Sequence, residues 1–177
     1  MKVKPFASIT TTSRIDEVKK AVNRIKGAAV FVGIASGSKG DARSDGGPSN
    51  HELGFIHEFG SPAANIPERP FLRPGVRKAA PNYIPKLKAA MKAGLHGDGA
   101  AMERLLEQAG SIASSAVKVE MSTGNFVPLK PSTLRNRNRS RLTKSKRENE
   151  MNGVNVRPLI NTGSLRNSID YYVVKGK

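Results

Sequence analysis

At 177 residues the chain is sized for one domain, able to bury about two thirds of its unfolded surface. Its 30 Lys and Arg against 14 Asp and Glu leave a formal charge of +16, beyond the magnitude of about 2–8 that solubility needs, which favours contact with nucleic acid, an acidic protein surface or an anionic membrane. Cysteine and Trp are absent, so disulfides and thiolate metal sites are excluded and the core must be mostly aliphatic.

Residues 1–12 are polar and threonine-rich and read as a strand or extended arm. They hold no continuous apolar stretch of the secretory kind, so a cytoplasmic protein, or a particle assembled in the cytoplasm, is expected. No apolar run approaches a membrane span, so no membrane partner is expected. Residues 13–26 read as a helix. Ser13 can cap it, Asp16 and Glu17 suit the positive end of its dipole, and Ile15, Val18, Val22 and Ile25 form an apolar stripe. Gly27 ends it. Residues 28–34 read as a strand covered on both faces. Residues 35–48, rich in Gly, Ser and Asp, read as a mobile loop. A phosphate-binding loop fails there, because Ser38 precedes Lys39 and Gly40 follows it.

A short helix is expected next. Ser49 sits at the N-cap with Glu52 in the capping-box position. Leu53, Phe55, Ile56 and Phe59 fall on one side, and Gly60 ends the helix. Pro62, Pro67, Pro70 and Pro74 then stiffen the chain, holding Phe71 and Leu72 in one direction between Arg69 and Arg73. Pro81 is expected to break or kink any helix over 75–95, with a restart near Asn82. Asp98 is expected to cap a longer helix over 100–121, whose stripe includes Met102, Leu106, Ala109, Ala113 and Val117. Residues 122–129 read as a turn. From Lys130 to Arg147 every charge is positive. Thr162 reads as the cap of one helical turn carrying Leu165 and Ile169 inward, followed by a strand over 170–175.

Three segments carry a family resemblance. The first is His57-Glu58-Phe59-Gly60 followed by Ile66-Pro67-Glu68-Arg69-Pro70-Phe71-Leu72-Arg73-Pro74. The second is the basic segment after Pro128-Leu129. The third is Pro158-Leu159-Ile160-Asn161-Thr162-Gly163-Ser164-Leu165-Arg166-Asn167-Ser168-Ile169. In this order they resemble the tail-completion or neck family of tailed bacteriophages, the virion morphogenesis proteins. Lys130 stands where that family has a serine, and the loop that follows is longer and richer in Asn. The resemblance implies a non-enzymatic structural protein of the head–tail junction, located in the virion and, during assembly, in the host cytoplasm. It implies a neck, collar or tail-completion subunit in a homo-oligomeric ring of about six or twelve copies. The ring's partners would be the connector or portal-side proteins and the tail-terminator or tube-side proteins.

Chemistry of other kinds finds little in the sequence. After His51-Glu52, a zinc-protease helix would need its second histidine at position 55, which is Phe55. His51 and His57 lie about 120° apart around a helix, a poor pair for one ion. Gly33-Ile34-Ala35-Ser36-Gly37 has its serine one place late for a nucleophile elbow. Acidic residues are scattered rather than paired for acid–base work. No catalytic, cofactor-binding or metal residues are expected.

The expected fold is α+β: a small, mostly antiparallel sheet with helices packed on one face, plus a long basic loop. It forms one domain over 1–177, with mobile loop 35–48 and basic arm 130–156. Strands 28–34 and 170–175 should share the sheet, and so small a sheet invites extension across subunits. Phe59, Arg69, Phe71, Leu72 and Arg73 are the expected anchors in the core or at a subunit contact, the two arginines pairing across it. Lys130, Arg135, Arg137, Arg139, Arg141, Lys144, Lys146 and Arg147 would dock on an acidic face of a neighbour or neutralise phosphates, packaged DNA included. A solvated loop is the bland alternative. No aromatic residue interleaves the run, which argues against base stacking. The alternative function is a free nucleic-acid-binding protein using this arm.

Overall fold

The computed structural model describes residues 14–35, 47–144 and 157–175, without the side chains of Arg14 and residues 138–144. The expected arm at 1–12, most of loop 35–48, and Lys146 and Arg147 lie outside the described residues. The elements in order are α1 (Arg14–Ile25), β1 (Ala29–Gly33), α2 (Asn50–Phe59), α3 (Leu72–Leu95), α4 (Gly99–Thr123), α5 (Pro131–Lys144), α6 (Ser164–Asn167) and β2 (Asp170–Val174). No helix among the described residues is long and apolar enough to cross a membrane.

The centre is an antiparallel hairpin of α3 and α4. Asp98 accepts the Ala101 N–H at 2.8 Å and caps α4, as the sequence predicts. Gly97, at φ +85°, turns the chain between the two helices. One face of α4 is built from small residues, with Ala109, Gly110, Ala113 and Ser114 all buried. This lets the sheet lie close: a Cβ on Gly110 would stand 2.3 Å from the Tyr171 ring. α3 approaches the same helix as closely, since a Cβ on Gly75 would stand 2.8 Å from the Val117 Cα.

Pro81 does not break α3, contrary to the sequence expectation: the helix runs through both Pro81 and Pro85. Both prolines are exposed, as is Arg77, whose carbonyl loses its partner at Pro81. Water can satisfy it, and packing along α4 offsets the lost bond.

Among the described residues the sheet is two antiparallel strands, with Ala29 opposite Val174, Phe31 opposite Tyr172 and Gly33 opposite Asp170. Val30, Val32, Tyr171 and Val173 point toward α4 and the two core clusters. Phe31 and Tyr172 point away and are 59% and 67% exposed. The fold is therefore α+β with helices on one sheet face. Among the described residues β1 is covered on that face only, not on both as expected. Phe71, Val117, Met121, Leu159, Leu165 and Ile169 form the larger core cluster. The one-turn α6 is entered from Gly163 at φ +84°, and Thr162, the expected cap one residue before it, accepts the Ser164 N–H on its Oγ1 at 3.3 Å.

Of the stripe expected to bury α1, Ile25 alone packs inward, half-buried beside Gly94 of α3, and the other three face solvent. Ile15, Val18 and Val22 are 64%, 59% and 48% exposed. α1 is held to α3 from its flank, by buried Ala21 and by Arg24 donating to the Gly94 carbonyl.

Gly75→Ala tests the α3–α4 contact. Alanine favours a helix by about 1 kcal/mol over glycine, but overpacking a tight core costs about 1–3 kcal/mol. With backbone as the obstacle, a net loss of stability is expected in urea unfolding; unchanged or raised stability would show that the helices yield.

Candidate assembly interface

α2 starts as the sequence predicts. Ser49 Oγ accepts the Glu52 N–H at 3.2 Å, and Glu52 accepts the Ser49 N–H at 2.8 Å, closing the capping box. Buried Asn50 donates to Ser164 Oγ at 2.9 Å and ties α2 to α6. Gly60, at φ +74° and ψ 176°, occupies a backbone region that glycine alone tolerates well. The chain then folds back on itself, Ser61 and Ile66 exchanging both backbone hydrogen bonds at 2.9 Å. A second return contact has the Arg69 N–H donating to the His57 carbonyl at 2.7 Å.

The fold-back delivers the start of α3 onto Glu58. This carboxylate is buried at the end of α2, 3% exposed. Glu58 Oε2 accepts the N–H groups of Phe71 at 2.8 Å and Leu72 at 2.9 Å. Oε1 accepts the Arg73 N–H at 3.1 Å and Arg73 Nε at 2.9 Å. A helix begins with N–H groups that lack partners. Phe71 precedes α3 with no side chain able to cap it, and Pro74 has no N–H to satisfy. A carboxylate from another helix therefore completes the first turn, in the place the helix dipole favours. Burial pushes the Glu58 pKa up. The Arg73 side chain and the N–H groups of Leu72, Arg73 and Phe71 outweigh it and hold the carboxyl below the ordinary value.

The expected anchors separate into two groups. Phe71, 2% exposed, is in the core, and Leu72 packs against the same cluster. Arg69 is also buried, 5% exposed; its Nε donates to the Val127 carbonyl at 2.8 Å and its Nη2 to the Pro128 carbonyl at 3.2 Å. Of the two places expected for it, core or subunit contact, Arg69 takes the first, its guanidinium bonded to its own chain. Phe59 lies outside, 53% exposed, with Phe55 at 63%. Their ring centroids stand 4.9 Å apart, and the Arg73 guanidinium lies 4.9 Å from the Phe59 centroid. The single stripe expected for α2 is therefore split, with Leu53 packed on the core and the two phenylalanines outside. Beside them runs a largely apolar groove between Gly33 at the end of β1 and Ile34 after it, Gly54, Phe55 and Glu58 on α2, and Leu72 and Arg73 on α3.

The basic arm is a helix over its first part. Lys130 donates to the Asn65 carbonyl at 3.1 Å and pins the proline-rich fold-back. Arg137 donates to the carbonyls of Arg157 at 3.0 Å, Pro158 at 2.9 Å and Ile160 at 3.3 Å. These two therefore bind their own chain rather than serving only as a docking surface. Arg135 is exposed. Arg139, Arg141 and Lys144 continue α5, their side chains outside the described part. His57 lies in the field of Arg69 and Arg137. Burial first, then these two charges, push its pKa down from 6.5 to about 4.

Glu58 is the residue that sequence reasoning missed. Its signal was present: a helix starting at Leu72 with Phe71 before it and Pro74 within its first turn has no local cap. Among the described residues no group of three or more His, Asp or Glu could hold a metal ion. No protein-family model, curated protein or solved structure matches this chain.

The pH response follows from His57 and Glu58. The His57 pKa is lower folded than unfolded, so its contribution to stability is complete above about 6.5 and is lost as pH falls toward and through about 4. The Glu58 pKa is also lowered, so its share is complete above the ordinary 4.5 and is lost below that. Urea midpoints of the wild type should decline from pH 6.5 to 4, and His57→Gln should flatten that interval while keeping the steeper loss below it. An identical decline in the variant would remove His57 from this role.

Proposed function

We propose that the chain is a structural virion protein of the head–tail junction, acting by adhesion and positioning rather than by turnover. In this reading it is a neck, collar or tail-completion subunit of a homo-oligomeric ring between the connector and the tail. The observation that carries the reading is the Phe55–Phe59 aromatic pair, left exposed beneath Arg73 on elements that the Glu58 cap and the Arg69 bonds hold rigid. Paired aromatics with an arginine at hand, on a rigid support, are the composition of binding hot spots. The sequence resemblance adds its weight at the same place: the His-Glu-Phe-Gly and Arg-Pro-Phe-Leu-Arg-Pro segments are the ones joined by Glu58.

A second reading, a free nucleic-acid-binding protein, draws on the +16 charge and on a helix α5 whose every charge is positive. A gel shift across a salt series distinguishes the two. Tight binding by the isolated chain, with a steep salt slope lost in Arg135→Ala/Arg139→Ala/Arg141→Ala, favours the second reading.

For the first reading the test is assembly. Phe71→Asp is unsuitable, because Phe71 is in the core and the variant would misfold. Phe55→Ser/Phe59→Ser changes exposed side chains and should fold with nearly wild-type stability. Particles made with it should show filled heads and separate tails by negative-stain microscopy; normal joining would overturn the proposal.

A further inference from the structure

α3 carries Arg73, Arg77, Lys78, Lys86, Lys88 and Lys92 and no Asp or Glu. We infer that its exposed face is a binding site for the phosphate backbone of a duplex nucleic acid. The site is separate from α5 and depends on neither reading of the function: a ring threaded by duplex and a free chain would use it alike.

Helical register defines the face. At about 100° and 1.5 Å per residue, Arg77, Pro81, Ile84, Lys88, Lys92 and Leu95 all fall within about 100° of Arg73 around the axis. All of them, Arg73 included, are exposed. Arg73 and Arg77 stand about 6 Å apart along the axis, as do Lys88 and Lys92, and about 16 Å separates the two pairs. Lys78 lies beside this face and is drawn to α4, where Glu120 binds it at 2.7 Å.

The row keeps its charge. Glu58 takes Arg73 Nε, yet the Arg73 side chain stays 58% exposed. Arg77, Lys88 and Lys92 enter no ion pair or side-chain hydrogen bond among the described residues. On α4, Glu103 is taken by Lys175 and Glu107 by Tyr171. α1 also packs on α3, and its Asp16 and Glu17 are outnumbered by Lys19, Lys20 and Arg24.

The form of the row selects the ligand. Phosphates recur at fixed intervals along a strand, so cations spaced by helical turns on a straight rod can meet several at once. In a duplex, two backbones flank a major groove about 12 Å wide, and two cation pairs about 16 Å apart can address both banks. No aromatic residue belongs to the stripe, so it offers a single strand no base stacking and a protein partner no aromatic anchor. An interfacial helix needs a continuous apolar face for a membrane, and α3 gives its own to α4. Glu58 holds α3 at its start and α4 holds it along its length, so the row is fixed before a ligand arrives.

The test is fluorescence anisotropy of the full chain with a labelled mixed-sequence DNA duplex of about 30 base pairs, from about 50 to 200 mM salt. Arg77→Gln/Lys88→Gln/Lys92→Gln keeps good helix formers and should retain the wild-type urea midpoint. It should weaken binding by about tenfold or more at low salt and lower the slope of log Kd against log salt by about 2.7, for three phosphate contacts at about 0.9 each. Lys19→Gln/Lys20→Gln/Lys26→Gln removes the same charge from exposed positions in and just after α1 and should change the slope by less than about 1. An equal loss in that variant would reduce the effect to net charge and overturn the inference. So would a slope lost only in the α5 variant Arg135→Ala/Arg139→Ala/Arg141→Ala, tighter binding to oligo-dT of the same length, or a preference for anionic phospholipid vesicles. A wild-type chain that leaves the duplex unbound at about 10 μM in about 50 mM salt would also overturn it. Head–tail joining is read separately in particles, so failure here leaves that reading standing.

Discussion

The fold around the candidate interface depends on one carboxylate. Glu58 is buried, and three consecutive backbone N–H groups and one guanidinium converge on it. A buried carboxylate is costly unless its oxygens are fully bonded, and a helix start is costly unless its N–H groups find acceptors. Each cost is removed by the other. The bonds lie between residues 13 to 15 positions apart, so they also fix the course of the loop between α2 and α3. Phe71 is driven into the core and Arg73 is turned outward over Phe59 by the same contact.

Around this centre, much of the positive charge works inside the chain. Arg69, Lys130 and Arg137 donate to backbone carbonyls in loops and turns, where regular structure supplies no partner. Guanidinium groups suit this role because their fork reaches several acceptors at once. The arrangement has an electrostatic cost: burial and the neighbouring Arg69 both lower the Arg137 pKa, and His57 cannot take a proton beside them at neutral pH. The formal charge thus overstates what is offered to a partner, because part of it binds the chain to itself.

The sequence disclosed those parts of the fold that local chemistry decides. The α2 capping box, the Asp98 cap, the inward Leu165 and Ile169, and the pairing of the two strands could all be read from spacing and residue type. What it hid was tertiary. Pro81 is a breaker by local rule, yet α3 continues because its exposed side lets water take the orphan carbonyl. The α1 stripe has the period of a buried face, and periodicity cannot say whether the surface that covers it belongs to the same chain. Arg69, Phe71 and Arg73 looked equivalent in a proline-framed segment, but one bonds carbonyls, one fills the core and one reaches the surface. Glu58 was passed over because three of its four partners are backbone N–H groups, which carry no residue signature, and only the missing local cap before Leu72 pointed to it.

The same local-against-tertiary distinction bears on why this surface suits adhesion. An exposed aromatic pair on a mobile loop would lose conformational freedom on binding, and that loss subtracts from affinity. Here α2 is fixed at its start by its own cap and by Asn50 to α6, and at its end by Glu58 to α3. Phe55 and Phe59 are therefore ordered before any partner arrives. The prolines add to this through the unfolded state, by restricting the segment between the two helices. A two-stranded sheet and a half-covered α1 are marginal features in an isolated domain. Both become reasonable if the apolar faces left open are completed by other copies, so that the unit of stability is the assembly rather than the single chain.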